Sequence, residues 1–132
     1  MNVAEKSGWA AGTFAALFIS EILGLEYDDA DRTLRFEPLG YTGDFRWTDA
    51  RFGRCSLEIE FVDGEDGTVL SVANRNSFPL TVQGDLPVER IPDVIEVNGD
   101  ETRDFEHESH FDRSMIHVSA PLEPGERLAL VV

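Results

Sequence analysis

Residues 55–62, Cys55-Ser56-Leu57-Glu58-Ile59-Glu60-Phe61-Val62, set Leu57, Ile59 and Phe61 against Ser56, Glu58 and Glu60 in strict alternation. A period of two places successive side chains on opposite faces, so this stretch predicts a half-buried β-strand. The run Asp63-Gly64-Glu65-Asp66-Gly67 that follows is turn chemistry, and it leads into a second expected strand over 68–73. Upstream, residues 33–38 alternate in the same way, with Leu34 and Phe36 inward and Arg35 and Glu37 outward, after the polar turn Asp28-Asp29-Ala30-Asp31. Downstream, the polar loop Asn74-Arg75-Asn76-Ser77 precedes expected strands at 79–83, 94–97, 115–119 and 127–132. Asn98-Gly99 is a hairpin signal, and Pro124-Gly125 marks the turn before the last strand. Short strands at this spacing predict an antiparallel β-sandwich, whose strand order does not follow from the sequence.

Residues 8–25 have a different character. They are apolar nearly all round, with Ala11, Ala15, Phe18 and Ile22 along one helical face, Phe14, Leu17 and Leu25 beside it, and Ala16, Ile19 and Leu23 on much of the other. Only Thr13, Ser20 and Glu21 interrupt the coat, while Ser7 is placed as an N-cap and Gly24 as a C′ residue. The expected fold class is therefore mostly β, an antiparallel sandwich over 26–132 preceded by one apolar helix over 1–25. Such a helix needs burial from two sides, which makes it a docking element with Trp9, Phe14, Leu17, Phe18 and Ile22 as interface residues. Glu5 beside Lys6, with no small-residue cleavage site, argues against a signal peptide, and the run falls short of the ~20 residues of a membrane span. A cytoplasmic location is expected.

The 132 residues are enough for one domain with a real core, and 42% of them are hydrophobic. The 26 acidic against 11 basic residues give a net charge of −15, which repels nucleic acid backbones and anionic membranes as partners. Ten of the basic residues are arginine, Lys6 being the exception. The single cysteine, Cys55, excludes an internal disulfide and reads as a structural thiol at a strand start.

Three groups of side chains are candidates for chemistry. Glu58 and Glu60 share a strand face about 7 Å apart, but it is the outward face; the aspartates at 28–31 and the acidic residues at 63–66 read as turn formers and solvated charge. His107, His110 and His117 lie among Glu106, Glu108 and Asp112, a weak match to zinc spacing, so no metal or other cofactor is expected. Tyr41, Phe45, Trp47 and Phe52 fall within twelve positions and are either core packing or a stacking platform for sugar. The sequence has no phosphate-binding glycine loop, nucleophile elbow or His-Glu-x-x-His run.

The segment Ala11-Gly12-Thr13-Phe14-Ala15-Ala16-Leu17-Phe18 through Gly24-Leu25, followed by Leu34-Arg35-Phe36-Glu37-Pro38-Leu39, resembles the C-terminal end of bacterial (α/α)6 six-hairpin glycosidases and phosphorylases. Arg51-Phe52-Gly53, Val97-Asn98-Gly99 and Leu122-Glu123-Pro124-Gly125-Glu126 add to the likeness. The resemblance implies a last toroid helix joined to a β-sandwich, with the catalytic carboxylates on the toroid, so no catalytic residue transfers to this sequence. It implies a non-catalytic structural or interaction domain of a carbohydrate-active enzyme, docking on a toroid domain or on a second copy of itself. Two alternatives stand beside it: a carbohydrate-binding module using the aromatics at 41–52, and a small enzyme with an unrecognised carboxylate site.

Overall fold

A computed structural model describes residues 23–38, 43–64, 67–111 and 113–132. Eleven strands run in order: β1 (Leu25–Asp28), β2 (Thr33–Phe36), β3 (Phe45–Phe52), β4 (Cys55–Gly64), β5 (Gly67–Asn74), β6 (Leu80–Val88), β7 (Ile95–Val97), β8 (Asp100–Thr102), β9 (Glu106–Ser109), β10 (Ser114–Leu122) and β11 (Arg127–Val131). They form a five-stranded sheet in the order β1-β2-β6-β10-β9 and a six-stranded sheet in the order β3-β4-β5-β11-β7-β8.

The expected fold class needs correcting. Among the described residues the protein is all-β, with no helix, and the five-stranded sheet is mixed because β2 lies parallel to β6, Leu34 opposite Val82 and Phe36 opposite Gly84. The expected helix falls on residues 1–22, outside the described residues, except at its end. There Leu25 opens β1 and pairs with Phe36 instead of closing a helical turn. Gly24, with φ +73°, accepts a hydrogen bond from the Glu37 amide at 2.9 Å, and a Cβ at this position would lie 1.9 Å from the Glu37 carbonyl oxygen. Glycine is required at that close approach.

The two sheets pack face to face. Leu34, Phe36, Val82, Leu86, Ile116 and Val118 of one meet Leu57, Ile59, Leu70, Val72, Leu128 and Leu130 of the other in a single buried cluster. The Phe36 ring stands edge-on to Phe61 at 5.0 Å, a favoured aromatic geometry. Three of the expected turns form as their residues dictate, while that at 63–67 has its central residues outside the described ones. Asn98 and Gly99 both take positive φ between β7 and β8, and Gly125 takes φ +78° behind Pro124, where the Glu126 amide donates to the Glu123 carbonyl. Asp28 Oδ1 accepts the amides of Ala30 and Asp31 at 3.0 and 3.4 Å, which makes it the turn former its position suggests.

Asn74, 1% exposed, ties the sheets together at one end. Its Nδ2 donates to the carbonyls of Phe78 and, across the sandwich, Leu122, at 2.9 and 3.0 Å, and its Oδ1 accepts the amide and side chain of Asn76. Substituting Asn74 by Ala leaves two carbonyls without their donor, at about 1–3 kcal/mol. Chemical denaturation should show a loss in that range with an unchanged slope; a loss near zero would mean that the link contributes nothing.

Candidate functional site

The aromatic candidates come from one edge strand. Tyr41 lies outside the described residues, as do Trp9, Phe14, Leu17, Phe18 and Ile22, whereas Phe45, Trp47 and Phe52 all stand on β3. The register of β3 against β4 moves from Trp47 opposite Ile59 to Ala50 opposite Leu57, so three steps on β3 match two on β4. The extra residue is a β-bulge, and it brings Phe45 and Trp47 onto the same face as Ala50 and Phe52 despite their opposite parity. Phe45 packs at 5.9 Å from Phe36 and 6.1 Å from Phe61, while Trp47 meets Phe52 at 5.8 Å and 61° and Phe52 meets Tyr27 at 6.1 Å. All three β3 rings are half-buried, in mutual or core contact along the margin shared with β1. Among the described residues the Tyr27 hydroxyl is buried without a hydrogen-bond partner, and burial pushes its pKa up to about 12. Burial also raises the Cys55 thiol, whose sulfur accepts from Asn76 Nδ2 at 3.5 Å, consistent with a structural thiol.

The histidines separate. His117, in register with Asp85 on β6, places Nδ1 2.6 Å from Asp85 Oδ1 and Nε2 3.1 Å from Glu108 Oε1. Glu108 also meets His110 at 3.2 Å, and the His107 ring lies 6.4 Å from Phe105. A carboxylate on each ring nitrogen favours the charged form of His117. The Asp85 bond, reinforced by Glu108 and opposed by partial burial, raises its pKa, and the His117 bond lowers that of Glu108. The carboxylates flank the ring on two sides, and among the described residues no three His, Cys, Asp or Glu side chains converge as a metal site.

The outward face of the six-stranded sheet carries a network that strand-by-strand reading misses. Glu58 points outward as expected, yet its side chain is only 7% exposed because Arg46, Arg75 and Arg127 cover it. Arg75 Nη2 donates to Oε2 at 2.6 Å, Arg127 Nη2 to the same oxygen at 3.3 Å, and Arg46 Nη2 to Oε1 at 3.3 Å. Glu58 is opposite Ala73, and Ala73 is opposite Arg127, so the arginine reaches over a small side chain from two strands away, about 10 Å. The Arg75 bond, with Arg46 and Arg127 behind it, lowers the Glu58 pKa against the opposing effect of burial. The only sequence signal was a glutamate on a central strand, and its partners emerge only with the order β4-β5-β11.

No family model matches the chain, and no curated protein matches it. Among solved structures it is similar to an alpha-L-rhamnosidase from Dictyoglumus thermophilum, with 17% identity and a TM-score of 0.49 over 91% of this chain. The chain spans 13% of the length of that protein.

The raised His117 pKa sets a pH dependence. Its contribution to stability is fully present below the ordinary histidine value of 6.5 and is lost as pH rises through the higher folded value. Denaturation of the wild type should therefore show stability falling above pH 6.5 by up to about 1 kcal/mol, and His117→Gln should flatten that fall. An equal slope in both proteins would show that the ring is not held in its charged form.

Proposed function

We propose that this chain is a non-catalytic structural and interaction domain associated with a carbohydrate-active, glycoside hydrolase-like enzyme, and that its apolar N-terminal segment is the docking element. The observation that carries the reading is the apolar margin of the sandwich. Leu23, Tyr27, Phe45, Trp47 and Phe52 are half-buried there, packed against the core, and Leu23 follows the apolar segment directly in the sequence. The sequence resemblance to the end of six-hairpin glycosidases points to the kind of partner, a toroid domain, with a second copy of the chain as the other occupant. Among the described residues Glu58 is ion-paired with arginines, His117 lies between two carboxylates, and Cys55 is buried, and on this reading all three are structural.

Docking would work by burial. At ~25 cal/mol per Å², about 400 Å² of apolar contact contributes roughly 10 kcal/mol before the costs of association. Substituting Phe14 or Phe18 by Asp should then abolish assembly, read by light scattering on the chain alone and by co-purification with a toroid domain. Unchanged oligomeric state, co-purification and stability in both variants would rule the reading out. Retardation of the wild type on a polysaccharide affinity gel, lost in Trp47→Ala, would instead favour a carbohydrate-binding module.

A further inference from the structure

Three of the ten arginines of a chain with net charge −15 converge on one carboxylate. Bringing three guanidinium groups together costs Coulomb repulsion, and Glu58 offsets only part of it. Glu60, 3.6 Å from Arg46 Nε, is the other carboxylate in contact, which leaves three positive charges against two negative. Arg46, Arg75 and Arg127 nevertheless keep 63%, 55% and 49% of their side-chain surface open. Among the described residues Arg75 uses only Nη2 in hydrogen bonding, so its Nε and Nη1 donors face no partner. Arg127 is fixed from two directions, by Glu58 through Nη2 and by Ser71 Oγ through Nη1 at 3.1 Å.

Beside these two arginines lies a notch of about 260 Å³, lined by Ala73, Asn74, Arg75, Asn76, Gly125 and Arg127. Of the residues that line it, Arg75 and Arg127 are the charged ones, and Gly125 contributes from the turn before β11. We propose that this notch is an oxyanion-binding site, in which Arg75 and Arg127 clasp a carboxylate, sulfate or phosphate group. Glu58 acts from beneath as the positioning residue that holds both guanidinium planes. Paired guanidinium groups suit such groups because their N–H donors match two oxygens at once. The net charge of −15 repels anions overall, and the three arginines gathered around Glu58 oppose that repulsion locally.

The test is a titration of the full chain with sodium sulfate, phosphate, glucuronate and acetate, followed through the arginine Nε–H resonances, with sodium chloride at equal ionic strength and neutral galactose as controls. Saturable shifts at Arg75 and Arg127 with at least one oxyanion are expected at millimolar concentration, with none from galactose. Arg75→Gln and Arg127→Gln should each weaken that binding at least tenfold, while Arg103→Gln leaves it unchanged; having two variants keeps the test valid if one misfolds. Tighter binding of glucuronate than of acetate would assign the site to an acidic sugar, and tighter binding of sulfate or phosphate to a free inorganic anion. Shifts that are linear in concentration and matched by chloride, or binding that survives both substitutions, would overturn the proposal.

Discussion

The Phe36 side chain is the contact on which both sheets depend. It is fully buried, its ring reaches Phe61 and Phe45 on the opposite sheet, and its strand is fixed on one side by antiparallel pairing to β1 and on the other by the parallel ladder to β6. Without that parallel pair the β1–β2 hairpin would have no place in the five-stranded sheet, and Leu25, Leu34 and Phe36 would face water. Burial of those three side chains is worth roughly 1.5–3 kcal/mol each, enough to hold a short hairpin against the entropy of closing the long connection to β6. The margin formed by β1 and β3 follows from the same placement.

Much of the sandwich was legible in the sequence because its inner strands obey a period of two. β2, β4, β5, β10 and β11 were visible in the alternation of Leu34 with Phe36, of Leu57 with Ile59 and Phe61, and of Ile116 with Val118. β3 was hidden by its bulge, which shifts the apolar side chains from odd to even positions between Trp47 and Ala50. β8 and β9, Asp-Glu-Thr and Glu-His-Glu-Ser, are edge or near-edge strands without apolar alternation, and they form because neighbours supply their hydrogen bonds. β1 was masked by the helical pattern that ends at Leu25, and its pairing with β2 overrides that pattern at Leu25.

The polar networks were less legible because they depend on strand order. Glu58 looked like a solvated charge, since nothing in the sequence places Arg127 across Ala73 from it. His117 was correctly placed off the apolar face, but its carboxylate partners come from β6 on one side and β9 on the other. Outward side chains on this sandwich are thus organised into ion-paired clusters on each sheet, a basic one over Glu58 and an acidic one around His117. Together they give an otherwise strongly acidic molecule two electrostatically distinct faces.

Native-state hydrogen exchange is the most direct test of the claim that the two sheets form one cooperative body closed by the β2–β6 pairing. Amides of β2 and β6 should exchange with the same free energy as those of β4 and β5, and all of them should lose protection together in Phe36→Ala. Exchange of β1 and β2 at a much lower free energy than the rest, with β4 and β5 unaffected by Phe36→Ala, would contradict it.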